Sequence, residues 1–385
     1  MQKSSITIAS KLPGIEQSIF SVMTALATKH NAINLAQGFP DFNCPPRLIE
    51  LVNKYMLEGK NQYAAMPGIL PLREKIAEKA NRLYGSNYEP VNEITITAGG
   101  TQAIYTAISA VVKEKDEVII FEPGYDSYLP AILINKGAPK YVQLSPPNYK
   151  IDWDQVKKLV NYRTKLIIIN TPHNPSGMVF TADDMKQLQK IVAKTDIMVL
   201  SDEVYEHIIF DGRKHESVCK YPDLASRAFV VFSFGKTYHT TGWKMGYVLA
   251  PKEMTEEFRK VYQYSMFSAM TPLQYAFNNM LDDVEHYMQL PDFYQKKRDI
   301  FLEAIKGSRF KPIPCEGTYF QCLDYSGISN ENDRKMAEIL TKQYGIASIP
   351  TSVFYHDKVD HKILRFCFAK GEETLKEAGE KLSKI

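Results

Sequence analysis

The sequence "AFVVFSFGKTYHTTGWKMGY", residues 228–247, joins an apolar run to a polar, glycine-containing stretch. Its first five residues are apolar, as expected of a strand buried on both faces of a sheet. The stretch that follows contains Lys236 and Lys244. Polar residues directly after a buried strand indicate a ligand site, because ligands bind beyond the carboxyl ends of the strands in open parallel sheets.

The same alternation extends from about Glu93 to Pro251. Amphipathic segments separate short runs rich in Ile and Val, namely "ITITA", "EVIIFEP", "KLIIIN", "IMVLSDE", "AFVVFSF" and "GYVLAP". Strands separated by helices imply right-handed crossovers and a mainly parallel sheet with helices on both faces. The sequence therefore predicts an α/β fold.

Beyond Thr271 the sequence changes to longer helical patterns with isolated strands, such as "GTYFQCL" and "ILRFCFA". This change predicts a smaller α+β domain. We expect residues 1–40 to be an N-terminal segment associated with the small domain. Residues 41–280 are then the large α/β domain that holds the ligand, and residues 281–385 the small C-terminal domain.

The composition excludes several classes of protein. The 385 residues are 44% hydrophobic and 24% charged, with a formal net charge of +3, which gives no electrostatic reason to expect nucleic acid or an anionic membrane. The five cysteines are scattered and form no CxxC pair, which favours reduced thiols over disulfides or a metal site. No signal peptide or membrane span is expected, so the sequence predicts a cytoplasmic protein.

Four strand ends carry unusual polar or glycine-rich segments: "AGGTQAIY", "TPHNPSG", "SDEVY" and "GKTYHTTGWK". The first opens a helix after Gly99-Gly100, and the free N–H groups of a helix N-terminus can hold a phosphate. A plain tight turn would have the same sequence. Neither a P-loop nor a GxGxxG fingerprint is present.

Three charged residues each allow two interpretations. Asp202 is a helix cap or surface acid, or a buried carboxylate that faces a cation. Lys236 is a solvated surface charge, or a desolvated amine that acts as a nucleophile or Schiff-base partner. Arg365, inside the apolar strand "ILRFCFA", forms a structural ion pair or binds a substrate carboxylate.

The motifs together resemble one family. An Asn-Pro-x-Gly turn, an Asp-x-x-Tyr pair, a Ser-x-x-Lys with a second basic residue eight positions later, and a late Arg in a strand are similar to the class I and II aminotransferases. These are fold-type I pyridoxal phosphate enzymes, so the resemblance implies a seven-stranded, mainly parallel sheet sandwiched by helices. "QGFPDF", "NQYAAMPG" and "PTSVFY" look closest to the methionine and kynurenine aminotransferase branch.

The resemblance implies roles for the residues around the cofactor ring. Lys236 is expected to bind pyridoxal 5'-phosphate covalently and to move the substrate α-proton. Asp202 is expected to pair with the protonated pyridine nitrogen. Asn174 and Tyr205 are expected to hydrogen-bond the ring oxygen, and Tyr125 to stack on the ring.

The resemblance also implies a phosphate cup formed by Gly100, Thr101, Gln102, Ser233 and Lys244. Many relatives have arginine where this chain has Lys244, so a point charge replaces a bidentate fork. Tyr63 resembles a tyrosine that reaches the phosphate of the neighbouring subunit, which implies a homodimer. No metal is expected.

For the substrate, the resemblance assigns the α-carboxylate to Arg365, assisted by Asn174 and the backbone of Gly38. Phe20, Tyr125 and Phe267 are expected to form an aromatic, largely apolar side-chain pocket. The expected amino donors are therefore methionine, phenylalanine, tyrosine, kynurenine or glutamine, with a 2-oxo acid as acceptor.

Two other functions stay open. A cysteine-S-conjugate β-lyase would use the same pyridoxal phosphate site but expel a group from Cβ. A non-catalytic pyridoxal phosphate-binding regulator would need an added DNA-binding domain, and only about thirty residues precede "NLAQGFPDF".

Overall fold

The isoleucine- and valine-rich runs form strands in the computed structural model, which describes residues 8–385. The strands of these residues are β1 (Ile33–Asn34), β2 (Ile94–Thr97), β3 (Glu117–Glu122), β4 (Ala138–Gln143), β5 (Thr164–Asn170), β6 (Met198–Asp202), β7 (Ala228–Ser233), β8 (Gly246–Leu249), β9 (Lys311–Pro312), β10 (Phe320–Asp324), β11 (Ile346–Ala347), β12 (Ile349–Pro350) and β13 (Ile363–Cys367).

Amphipathic segments between the strands form helices. The α-helices are α1 (Ile19–Lys29), α2 (Pro46–Leu57), α3 (Leu70–Tyr84), α4 (Gly100–Val111), α5 (Tyr128–Ile134), α6 (Trp153–Leu159), α7 (Ala182–Val192), α8 (Pro222–Ala225), α9 (Phe234–Thr237), α10 (Lys252–Ser265), α11 (Thr271–Met280), α12 (Val284–Met288), α13 (Leu290–Ala304), α14 (Asp333–Ile339) and α15 (Glu372–Leu382). Within residues 8–385, none is long and apolar enough to cross a membrane.

Local sequence explains where several helices begin and end. Helix α7 begins with a capping box, in which the Thr181 hydroxyl accepts from the Asp184 N–H and the Asp184 carboxylate accepts from the Thr181 N–H. Helix α3 ends at Tyr84 and is capped by Gly85, whose φ of 69° lies in the left-handed region. These caps satisfy backbone groups that a helix end leaves free.

Seven strands form one sheet in the order β2-β8-β7-β6-β5-β3-β4. The pairs among β3 to β7 are parallel, whereas β8 runs antiparallel to both of its neighbours. The carboxyl ends of β5, β6 and β7 therefore lie at one edge of the sheet. The predicted mainly parallel, seven-stranded α/β fold is confirmed.

Helices cover both faces of this sheet, so both faces of its strands are apolar. Ile167 and Val199 belong to one apolar cluster, while the adjacent residues Leu166 and Leu200 belong to another on the opposite face. This alternation follows from the two-residue period of a strand. It explains why the sequence shows continuous apolar runs.

The C-terminal part contains an antiparallel sheet in the order β12-β13-β10-β9. Strand β1 pairs in parallel with β11, with Ile33 opposite Ile346. An N-terminal strand thus hydrogen-bonds to the C-terminal part of the chain. The domain boundaries at residues 40 and 280 stay a prediction.

Candidate active site

A cleft of about 170 Å³ opens at the carboxyl ends of β5, β6 and β7. Strands β6 and β7 end at two of its lining residues, Asp202 and Ser233. Nine residues singled out from the sequence line it: Gly100, Thr101, Tyr125, Asn174, Asp202, Tyr205, Ser233, Lys236 and Lys244. The parallel topology brings together residues that are far apart in sequence.

Asp202 is buried at the end of β6, with 3% of its surface exposed. Its Oδ2 accepts a hydrogen bond from the Tyr128 hydroxyl at 2.6 Å. Burial raises the pKa of Asp202 to about 6, although the Tyr128 hydrogen bond acts in the opposite direction. The cleft therefore contains a desolvated carboxylate that a cationic group would stabilise.

Lys236 lies in the short helix α9 and is half-buried. Its Nζ donates to the Tyr319 hydroxyl at 2.6 Å and lies 5.4 Å from the centroid of the Tyr205 ring. The Tyr319 hydroxyl in turn donates to the Gly38 carbonyl at 2.6 Å. Burial lowers the pKa of Lys236 to about 8, so its neutral amine is accessible near neutral pH.

The turn before α4 forms one end of the cleft. Gly99 has a φ of 82°, and a Cβ added there would lie 3.7 Å from Lys244 Cε. The Thr101 and Tyr125 hydroxyls lie 3.1 Å apart, and the Ser233 side chain lines the same cleft. The free N–H groups of α4 and the Lys244 ammonium together favour an anion at this end.

Arg365 is buried in β13, with 1% of its surface exposed. Its Nη1 donates to the Asn174 side-chain oxygen at 2.7 Å, and its Nη2 donates to the Ala36 carbonyl at 3.0 Å. Its Nε has no hydrogen-bond partner in the part of the chain that the structure describes. These hydrogen bonds go to neutral acceptors, so they do not make the structural ion pair that the sequence also allowed.

Two predicted residues lie away from the cleft, on an exposed surface. Tyr63 is 83% exposed, and its ring packs edge-on against Phe267 at a centroid distance of 5.2 Å. Phe267 is 37% exposed. Neither residue lines the cleft of its own chain.

Three other residues predicted from the sequence, Gln102, Phe20 and Gly38, lie near the site but do not line the cleft. Gln102 donates from its side-chain amide to the Thr106 hydroxyl at 2.8 Å, so the structure does not bring that side chain into the cleft. Phe20 packs beside Arg365, with its ring centroid 5.1 Å from the guanidinium carbon. The backbone of Gly38 reaches the site through its hydrogen bond to Tyr319.

Three residues that organise the site, Asn170, Tyr128 and Tyr319, were not predicted from the sequence. Asn170 donates to the Asp202 carbonyl at 2.8 Å and accepts from the Asn174 N–H at 2.7 Å. Asn170 is the polar residue that ends the apolar run "KLIIIN", and this position after a buried strand could have indicated a role in the site. Tyr128 and Tyr319, which hydrogen-bond Asp202 and Lys236, carry no such signal in the sequence.

His173, in the turn that precedes Asn174, does not titrate near neutrality. Its Nδ1 lies 2.6 Å from the Ser176 hydroxyl. Burial lowers the pKa of His173 to about 4. The imidazole is therefore neutral at physiological pH.

The sequence pattern of the family "Aminotransferase class I and II" matches residues 30–382. The chain belongs to the class I and II aminotransferases. This family includes a methionine aminotransferase of Escherichia coli K12 that is 50% identical over 377 residues, covering 98% of each chain. Human kynurenine–oxoglutarate transaminase 1 is 32% identical over 412 residues, covering 98% of this chain and 97% of the human protein.

Solved aminotransferase structures have the same fold. The crystal structure of an E. coli methionine aminotransferase superposes with a TM-score of 0.97 at 49% identity, covering 99% of this chain and 100% of that one. The Thermus thermophilus aspartate aminotransferase with maleate gives 0.90 at 27% identity, covering 98% and 99%. The predicted family, fold type I and transaminase class are confirmed.

Proposed function

We propose that this aminotransferase depends on pyridoxal phosphate and moves the α-amino group of a hydrophobic, sulfur-containing or aromatic L-amino acid to a 2-oxo acid. One observation carries this proposal: the amine of Lys236 and the buried carboxylate of Asp202 line one cleft. Burial shifts the pKa of both groups toward neutrality. Such perturbed groups in a cleft are typical of active sites.

The residues of the cleft fit the cofactor. Asp202 suits the protonated ring nitrogen, since it is buried and forms no salt bridge within residues 8–385. The N-terminus of α4 and Lys244 suit the phosphate. The other groups proposed to hold the cofactor are Thr101, Tyr125, Asn174, Tyr205, Ser233 and, through the backbone, Gly100 and Gln102. When bound, pyridoxal phosphate supplies the electron-withdrawing ring that acidifies the α-proton of an amino acid.

Lys236 is proposed to move that proton. General acid–base catalysis is most effective when the pKa of the group lies near the working pH. Burial lowers the pKa of Lys236 to about 8, which meets this condition. Its Nζ would accept the proton from the substrate α-carbon and donate it again to the carbon on the other side of the amino nitrogen, which is the 1,3 proton transfer that transamination requires.

Arg365 is proposed to bind the substrate α-carboxylate together with Asn174. The guanidinium is already oriented by Asn174 and Ala36, and its Nε remains available within the described residues. A planar guanidinium binds a carboxylate through two parallel hydrogen bonds. This contact fixes the α-carbon relative to Lys236.

Aromatic rings next to Arg365 support the choice of amino donor. The guanidinium carbon lies 5.1 Å from the Phe20 ring and 5.5 Å from the Phe354 ring. These rings make the surroundings of Arg365 largely apolar, which favours apolar donor side chains over acidic ones. We propose methionine, phenylalanine, tyrosine, kynurenine and glutamine as donors, in line with the names of the similar enzymes.

A donor panel tests this proposal. We expect kcat/KM for methionine and the aromatic amino acids, with a 2-oxo acid as acceptor, to exceed that for aspartate. A sulfur-conjugated cysteine, assayed in parallel, tests β-elimination. Pyruvate and ammonia from this conjugate, without transamination of methionine, would favour the β-lyase and overturn the proposal.

We also propose a homodimer in which Tyr63 reaches the phosphate in the neighbouring subunit. The exposure of Tyr63 and its contact with Phe267, outside the cleft of their own chain, support this arrangement. A cytoplasmic location remains our expectation, since all five cysteines are free thiols.

A further inference from the structure

Tyr319 connects Lys236 to the segment that follows β1. The Tyr319 side chain is fully buried, and its ring centroid lies 5.2 Å from Lys236 Nζ. The hydroxyl accepts from Lys236 Nζ at 2.6 Å and donates to the Gly38 carbonyl at 2.6 Å. The amine proposed to move the α-proton is thus tied to a buried phenol.

Chemistry fixes the direction of both hydrogen bonds. A phenol has one proton, and burial holds the pKa of Tyr319 well above its ordinary value, so that proton stays in place. The Gly38 carbonyl can only accept. The Tyr319 oxygen is therefore an acceptor toward Lys236.

We propose that Tyr319 is a positioning residue that holds the free amine of Lys236 by one N–H and leaves its lone pair facing the cleft. When the α-proton moves, the substrate C–H bond breaks, the proton goes to Nζ, and the electron pair stays on the substrate side. This inference rests on the proposed role of Lys236. A free amine without the Tyr319 hydrogen bond would sample orientations in which its lone pair points elsewhere.

The segment 36–38 extends this arrangement to substrate binding. Arg365 Nη2 donates to the Ala36 carbonyl, two residues before the carbonyl that Tyr319 binds. One short segment is therefore held both by the residue proposed to bind the carboxylate and by the residue that holds the amine. Because both side chains are hydrogen-bonded to this segment, the segment fixes the distance between Arg365 and Tyr319.

The first test measures the amine directly. The full-length enzyme is loaded with pyridoxamine phosphate, which leaves Lys236 as a free amine, and is treated briefly with acetic anhydride. Mass spectrometry compares acetylation of Lys236 with that of Lys244 in the same sample. We expect Tyr319→Phe to lower this ratio by on the order of tenfold, since the amine loses its hydrogen bond and its lone pair then faces the cleft less often.

The second test measures the proton transfer. Methionine and α-deuterated methionine are compared as donors. If Tyr319 positions the amine, Tyr319→Phe lowers kcat by on the order of tenfold and raises the deuterium isotope effect on kcat, with little change in KM. A purely structural loss would lower the amount of active enzyme without changing the isotope effect.

Tyr294 provides the matched control. It is fully buried, its ring centroid lies 5.8 Å from that of Tyr319, and its hydroxyl has no partner within residues 8–385. Tyr294→Phe thus removes a hydroxyl from the same region without removing a hydrogen bond. We expect it to leave the acetylation ratio and the isotope effect unchanged.

The inference would be overturned if Tyr319→Phe had the same acetylation ratio and the same isotope effect as the unaltered enzyme. Borohydride reduction of the pyridoxal phosphate form separates this failure from failure of the proposed function, because cofactor trapped on Lys236 would still support the latter. If Tyr319→Phe does not fold, 3-fluorotyrosine at position 319 keeps the shape but weakens the oxygen as an acceptor. This replacement should then change the acetylation ratio and the isotope effect in the directions expected for Tyr319→Phe.

Discussion

At the residue scale, Asp202 and Arg365 are charged groups that are almost fully buried. Neither forms a salt bridge within residues 8–385. Asp202 accepts hydrogen bonds from the Tyr128 hydroxyl and the Val204 N–H, and Arg365 donates to the Asn174 side chain and to a backbone carbonyl. An isolated buried charge destabilises a fold. The fold therefore retains two buried charges without a salt-bridge partner among residues 8–385, which bound molecules of opposite charge would stabilise further.

The pKa of Asp202 predicts how this acid affects stability. Its folded pKa, about 6, lies above the ordinary value of 3.8, so its contribution to stability is fully present below pH 3.8 and is lost as pH rises through 6. Relative to Asp202→Asn, the unfolding free energy of the cofactor-free protein should fall by roughly 3 kcal/mol between pH 4 and pH 8. Urea unfolding measures this difference, with the exposed Asp196→Asn as control. A difference that stays constant with pH would count against the prediction.

Arg365→Lys tests the carboxylate contact. A lysine keeps the charge but cannot make two parallel hydrogen bonds, so we expect kcat/KM for methionine to fall by roughly 100-fold. Arg163→Lys is the control, because Arg163 pairs with Glu117 at the opposite end of the strands and is half-exposed. Equal kcat/KM values for the two variants would exclude the proposed role.

Individual residues differ in how well sequence could predict them. Lys236 and Asp202 follow buried strands, and the geometry of a parallel sheet brings such positions to one edge. Tyr128 and Tyr319 hydrogen-bond these two groups from 74 and 83 residues away in sequence. Nothing local distinguishes them from the other tyrosines, because their partners are set by tertiary packing.

At the scale of elements, the segment after β6 directs some side chains into the cleft and others into the protein interior. Asp202 and Tyr205 line the cleft, whereas Glu206 points into the protein and accepts hydrogen bonds from Lys79 and Tyr84. Burial alone would raise the pKa of Glu206, but the charges of His207 and Lys79 outweigh it and lower the pKa. A buried ionic network thus supports the segment that carries two catalytic candidates.

Lys79→Met tests this support. It leaves Glu206 buried without its ammonium partner, so we expect a loss of about 3–5 kcal/mol in unfolding free energy. Lys75→Met, one turn earlier on α3, removes a partly exposed pair with Asp282 and should cost at most about 1 kcal/mol. Chemical denaturation compares the two. Losses of similar size would show that the network is not a support.

At the scale of the whole molecule, the predicted α/β fold followed from the alternation of apolar runs and helices. Sequence could not show how distant segments meet, such as the pairing of β1 with β11 or the contact between Tyr63 and Phe267. The exposed position of these two rings is the basis for proposing a dimer with shared sites.

Subunit mixing tests the shared site. If Tyr63 acts across the interface, dimers that combine Lys236→Ala with Tyr63→Ala contain one complete site, so a random mixture of the two subunits should recover about a quarter of the full activity. Lys236→Ala mixed with Arg365→Ala is the control, since both residues belong to the same chain's site and no complete site forms. Equal activity in the two mixtures would rule out a shared site.

The role of Lys236 is best tested by locating the cofactor chemically. The purified protein is reduced with sodium borohydride, digested and examined by mass spectrometry. The phosphopyridoxyl group should be found on the peptide that contains Lys236, and Lys236→Ala should lose both this modification and transamination. Modification of Lys244, the other lysine of the cleft, or of no lysine at all, would contradict the assignment.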